Sequence, residues 1–128
     1  MIRAEIPAAV LQFVLRRIDT VTELETLLIM SAEGTRLWSV DDIAARIYLA
    51  KPSAAAVLHA LQTHRLITSD DAGTRFRFTP VSDEERQTIL QTAMAYRTHL
   101  IPIATLIHKK ASGSVQEFAR AFSLKKDE

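Results

Sequence analysis

The sequence predicts a mainly α-helical domain carrying one small β-hairpin wing. Three observations predict it: helix-start signals at Thr20, Ser39 and Ser82, apolar residues recurring at steps of three and four along the flanks, and a short alternating run, Thr74-Arg75-Phe76-Arg77-Phe78. Alternation at period two places both phenylalanines on one face and both arginines on the other, as a half-buried strand requires.

In chain order, Pro7 opens a first helix, since its missing amide proton is no loss in a first turn. Val10, Leu11, Val14, Leu15 and Ile18 fall on one side of it, with Gln12, Arg16 and Arg17 opposite. Thr20 and Glu23 have capping-box spacing and start a second helix through Val21, Leu24, Leu27, Leu28 and Met30, ended by Gly34. Arg36-Leu37-Trp38 then reads as a short strand that pairs with the wing.

The next helix opens at Ser39, whose hydroxyl accepts from first-turn amides while Asp42 supplies the reciprocal arm of a capping box. Ile43, Ala44 and Ile47 form its apolar face, and Asp41, Ala45 and Arg46 face outward. Lys51-Pro52 breaks the pattern, so a further helix is expected to start near Ser53 and end near His64, with Ala54, Leu58 and Leu61 buried. Strands over 66–69 and 74–79 bracket Asp70-Asp71-Ala72-Gly73, a turn in which glycine supplies positive φ and aspartate tolerates turn geometry.

Ser82 and Glu85 repeat the capping spacing, and Asp83 and Glu84 add negative charge at the positive end of a helix dipole. The spacing predicts one long helix over 81–109 with a heptad seam of Ile89, Ala93, Tyr96, Leu100, Ile103 and Ile107, widened by Leu90, Met94, Ile101 and Ala104. Pro102 predicts a kink or a break in it. Such a seam either packs back on its own domain or pairs with its twin; the expectation is a homodimer, joined by Val10, Leu11 and Val14 of the first helix.

After a join at Ser112-Gly113-Ser114 comes an amphipathic tail with Val115, Phe118, Ala119 and Phe122 on one helical side. Three dockings are open to it: its own domain, a dimer mate, or a protein partner that takes Phe118 and Phe122. The expected organisation is a single domain over 1–128, with an N-terminal helix over 1–19, a core module over 20–80, the dimerisation helix over 81–109 and the tail over 110–128.

Composition narrows the chemistry. With 48% hydrophobic residues in 128 the chain can bury one core, and with no cysteine it can form neither a disulfide nor a thiolate metal site. Lacking a basic start followed by a long apolar run, it is expected to be cytoplasmic, with no membrane partner. His59, His64, His99 and His108 include no pair spaced to put two imidazoles on one helical face, and the three glycines are scattered, so no phosphate-cradling loop forms. The expectations are therefore no catalytic residues, no metal site and no cofactor. Charge is uneven: residues 1–50 carry five basic and seven acidic side chains, and residues 51–80 carry four and two.

Residues 38–80 resemble the winged helix-turn-helix domains of bacterial transcriptional regulators of the MarR and related types. The resemblance is carried by Trp38-Ser39-Val40-Asp41-Asp42-Ile43-Ala44, by Ser53-Ala54-Ala55-Ala56-Val57-Leu58-His59-Ala60-Leu61, by Arg65-Leu66-Ile67 and by the wing arginines. It implies a winged helix-turn-helix flanked by N- and C-terminal helices, with helix 53–64 in the major groove of double-stranded DNA and wing 66–79 on the backbone. The DNA-contacting residues it implies are Lys51, Ser53, Ala55, Ala56, His59, Gln62, Thr63, Arg75 and Arg77. It also implies a pocket for a small apolar ligand between the Ser82 helix and the winged module.

The chain departs from that pattern where bases are read. Ala55, Ala56, Val57 and Ala60 occupy much of the side of the helix on which relatives carry donors and acceptors, and no arginine sits there to clamp a guanine. Arg65 stands where glycine is common, and Asp70 and Asp71 bring negative charge to the wing tip. A second function class therefore stands beside the first: a winged helix used for protein–protein interaction, in which the small side chains meet a partner's apolar surface.

Overall fold

The computed structural model of the protein describes residues 5–111. The elements run α1 (Ala8–Arg17), α2 (Val21–Ala32), β1 (Trp38–Ser39), α3 (Val40–Ile47), α4 (Lys51–Thr63), β2 (Ile67–Ser69), β3 (Arg75–Phe78), α5 (Asp83–Thr98) and α6 (Leu100–Ala111). The three strands form one antiparallel sheet in the order β1-β3-β2, with Trp38 opposite Phe76 and Ile67 opposite Phe78. This is a mainly helical winged helix-turn-helix: α3 and α4 are the helix pair, the β2–β3 hairpin is the wing, and α1, α5 and α6 flank them. The amphipathic tail with Phe118 and Phe122 lies outside the described residues.

Side-chain caps fix the starts of α2, α3 and α5. At α3 the capping box closes in both directions: Asp42 N–H donates to Ser39 Oγ at 3.0 Å, and Ser39 N–H donates to Asp42 Oδ2 at 2.9 Å. At α2 and α5 the reciprocal arm lands one residue early. Thr20 Oγ1 accepts from Glu23 N–H, but Glu23 Oε1 accepts from Asp19 N–H. Likewise Ser82 Oγ accepts from Glu85 N–H while Glu85 Oε2 accepts from Val81 N–H. Each glutamate side chain is one methylene longer than aspartate and reaches past the cap.

Helix α4 starts at Lys51, with Ala50 as its N-cap and no side-chain cap, so Ser53 is not the starter expected of it. Pro52 sits inside the first turn, where its absent N–H would have had no intrahelical partner. The preceding break falls at Tyr48, which ends α3 in the left-handed region at φ 59°. The first strand is displaced as well: Arg36 and Leu37 lie outside it, and Trp38 with Ser39 make the pairs to β3.

The long helix expected over 81–109 is two helices. Pro102 would have removed the bond to the Thr98 carbonyl and clashed with it. The chain opens instead at His99 (φ −131°, ψ 43°), which puts Pro102 in the first turn of α6. The break lets α5 and α6 both fold back on α1 and α2.

That folding decides the fate of the heptad seam. Val10, Val14, Ile89, Ile103 and Ile107 are all 0% exposed, packed in the chain's own core with Leu24, Leu27, Leu58 and Trp38. Leu11, Ala93 and Tyr96 are half-buried, and Leu100 is exposed. The buried seam residues assigned to a dimer contact thus fill the interior of one chain and present no surface to a twin. The apolar side chains that α5 and α6 do expose are Leu90, Met94, Leu100 and Ile101.

Candidate nucleic-acid interface

The helix α4 turns one stripe inward and the rest outward. Ala54, Leu58 and Leu61, at offsets of four and three, are fully buried. Ser53, Ala55, Ala56, His59, Gln62 and Thr63 are exposed, as is Lys51. On β3 the alternation is complete: Phe76 and Phe78 are buried, and Arg75 and Arg77 are exposed. All nine residues implied by the resemblance therefore lie on the surface of the winged module.

Several of those side chains already have internal partners. Lys51 Nζ pairs with Asp41 Oδ1 at 3.2 Å, Thr63 Oγ1 donates to the His59 carbonyl at 2.9 Å, and Gln62 Nε2 donates to Ser69 Oγ at 3.3 Å. The last of these ties the end of α4 to the wing. Arg36 and Arg46 are engaged elsewhere: both pair with Glu33, and their guanidinium carbons lie 3.8 and 5.6 Å from the centre of the buried Trp38 ring. Among the described residues Arg65, Arg75 and Arg77 carry no ion pair, and Arg75 acts on the Asp42 carboxylate only through space, helping to hold it below its usual range.

The turn before the wing is left-handed and is made by Arg65, not by a glycine. Arg65 adopts φ 62°, and Leu66 N–H donates to the Leu61 carbonyl at 3.0 Å, closing α4. At the wing tip Gly73 supplies φ 71°, and Asp70 Oδ1 accepts from the amides of Thr74 (2.9 Å) and Arg75 (3.2 Å). These donors, the Thr74 amide foremost, hold the Asp70 carboxyl below its ordinary range, so the tip keeps its negative charge.

Neither a protein-family model, a curated protein nor a solved structure matches this chain.

Away from that face, folding gathers a polar cluster that local spacing gives no sign of. Asp19 before α2, Glu23 in its first turn and His64 at the end of α4 bring one potential ligand atom each to within 4.8 Å of one another. His64 Nε2 lies 3.1 Å from Asp19 Oδ2, and Lys110 Nζ from α6 lies 3.1 Å from Asp19 Oδ1 while donating to the Ile18 carbonyl. The His64 contact leads the causes that hold the Asp19 carboxyl below its usual range. Nearby, the Arg17 guanidinium bridges Glu85 and the His64 carbonyl, joining α1, α4 and α5. Screening histidines in pairs along the sequence could not find this trio, whose members are up to 45 residues apart.

A cleft of about 640 Å³ opens between α2, the end of α3 and α5, walled by Leu28, Ile29, Ile47, Tyr48, Leu90 and Ala93. It occupies the region between the Ser82 helix and the winged module. At its edge Tyr96 OH donates to Glu25 Oε2 at 2.8 Å. No helix among the described residues is long and apolar enough to cross a membrane.

Proposed function

We propose that the protein is a DNA-binding transcriptional regulator of the MarR-like winged-helix type, acting as a homodimer. The observation that carries this reading is the pairing of an uncovered α4 face with Arg75 and Arg77, two exposed wing cations that have no ion pair among the described residues. An exposed cation held on a strand without an ion pair suits a phosphate, and the bond from Gln62 to Ser69 ties α4 to the wing that carries it.

In this reading α4 enters the major groove. Ser53 and His59 supply hydrogen bonds, and the methyl groups of Ala55 and Ala56 meet thymine methyls, while Gln62 and Thr63 border the groove. Arg75, Arg77 and Lys51 neutralise backbone, Lys51 after exchanging Asp41 for a phosphate. With no guanidinium aimed at a guanine edge, affinity depends more on phosphates than on bases. The contact between two copies falls to the exposed residues of α5 and α6, Leu90, Met94 and Ile101, in place of the buried seam.

The test is duplex binding as a function of salt. Each phosphate contact contributes about 0.9 to the slope of log K against log salt, so Arg75→Ala with Arg77→Ala should flatten that slope by about 2 per protomer. Unchanged slope and affinity would refute the wing's role. The exposed alanines favour a second reading, a protein-interaction module; absence of any duplex binding at low salt, with a protein partner co-purifying, would select it.

A further inference from the structure

The Asp19, Glu23 and His64 cluster brings two carboxylates and an imidazole together at one corner of the fold. Glu23 is only 7% exposed, yet no ion pair reaches it among the described residues. One of its oxygens accepts the Asp19 amide at 3.1 Å, which holds the carboxylate beside Asp19. A carboxylate so buried usually has a cation or several donors. Asp19 already has Lys110 on Oδ1, so of the two carboxylates only Asp19 has an ammonium beside it. Asp19 Oδ2 and the His64 ring nitrogen face each other at 3.1 Å.

We propose that Asp19, Glu23 and His64 form a binding site for a divalent transition-metal ion of the zinc class. One imidazole nitrogen with two carboxylate oxygens is a donor set suited to Zn²⁺, and it is too poor in oxygen for Ca²⁺ or the octahedral Mg²⁺. Bonds of about 2.1 Å in a tetrahedron put ligand atoms about 3.4 Å apart. The Asp19–His64 pair is already at 3.1 Å, and the whole trio lies within 4.8 Å, so closing on an ion needs side-chain adjustment of about an ångström. Lys110 is a positioning residue: it occupies Oδ1 of Asp19, which leaves Oδ2 for the ion and fixes the carboxylate by its second bond to the Ile18 carbonyl. Three protein ligands leave a fourth position for water. The ion would fasten the end of α4 to the first turn of α2. This site is independent of the DNA-binding reading, because none of its ligands is among the proposed DNA contacts.

Co²⁺ titrated into the full chain reads the site directly, since a four-coordinate ion with oxygen and nitrogen ligands gives an intense visible band that aqueous Co²⁺ lacks. The expected result is one ion per chain, displaced by stoichiometric Zn²⁺, with affinity reduced at least tenfold by His64→Gln and by Glu23→Gln, each verified as folded by circular dichroism. His108→Gln, at an exposed position on α6 that supplies no ligand, should leave it unchanged. No band with excess Co²⁺, or a band that survives both ligand variants, would overturn the proposal. Failure here leaves duplex binding untouched, and the reverse also holds, so the two readings are separable.

Discussion

Replacing Arg65 by glycine should stabilise the protein, against the usual direction of mutations. Arg65 sits at φ 62°, where a Cβ atom crowds the following carbonyl at a cost of about 1–2 kcal/mol. Its side chain is exposed and has no ion pair among the described residues, so removing it forfeits little. The backbone bonds that close α4, from Arg65 N–H to the Gln62 carbonyl and from Leu66 N–H to the Leu61 carbonyl, survive the change. Against the relief stands the extra freedom glycine gives the unfolded chain, about 0.5–1 kcal/mol. The net gain is about 0.5–1 kcal/mol, which in a domain of this size raises Tm by about 2–5 °C. Differential scanning calorimetry of Arg65→Gly, Arg65→Ala and Arg65→Val separates the causes. Glycine should rise, alanine should stay within about 0.5 kcal/mol of the wild type, and valine, stiff at a positive φ, should fall by about 1 kcal/mol or more. A glycine variant less stable than the alanine variant would refute the reasoning, because it would mean that the arginine side chain, and not the backbone, sets the energy at this turn.

Three further outcomes follow from the geometry. Leu58→Ala removes a fully buried side chain from the inward stripe of α4 and should cost about 2–5 kcal/mol in chemical denaturation, whereas Ala55→Ser on the outward face should cost less than about 0.5 kcal/mol. The Tyr96 phenol is pushed up to about 12 by burial and by its bond to Glu25, so the neutral form is favoured in the folded chain. The sign follows: that stabilisation is fully present below pH 10 and disappears as pH rises through about 12, and Tyr96→Phe should flatten the fall in Tm over this window. Sedimentation at micromolar concentration should give twice the 14.3 kDa of one chain, and Leu90→Glu with Met94→Glu should return it to a single mass; a monomeric wild type would remove the homodimer.

The elements that were legible in the sequence are those whose cause lies within a few residues. The capping box joins Ser39 and Asp42, three positions apart, and appears as drawn. The Phe76/Phe78 and Arg75/Arg77 alternation follows from the pleat of a strand, and the Ala54, Leu58 and Leu61 stripe from the pitch of a helix. Errors enter where two local rules compete. Ser53 is a good cap, but Pro52 is equally at home in a first turn, and the chain used the second option. Pro102 announced a disruption, yet whether the helix bends at the proline or opens three residues before it depends on what the two halves can pack against.

The largest misreading concerns the apolar seam of α5 and α6. Heptad spacing states that a face is apolar and says nothing of what covers it. An intramolecular partner has a far higher effective concentration than a second chain, so once the break at His99 allows both halves to reach α1 and α2, Ile89, Ile103 and Ile107 go inside. The same distance problem hid the Asp19, Glu23 and His64 cluster. Glu23 could be recognised as a first-turn acid, but its approach to His64 requires α2 and α4 to pack side by side.

The sequence by itself determined the order of helices and strands, the inward stripe of α4 and the outward arginines of the wing, because caps, turns and periodicity act through bonds between near neighbours. Only the tertiary structure decided which apolar faces are spent on the core, which charges are left without a partner, and which distant carboxylates share one corner, because burial and pairing are properties of surfaces brought together by the whole chain.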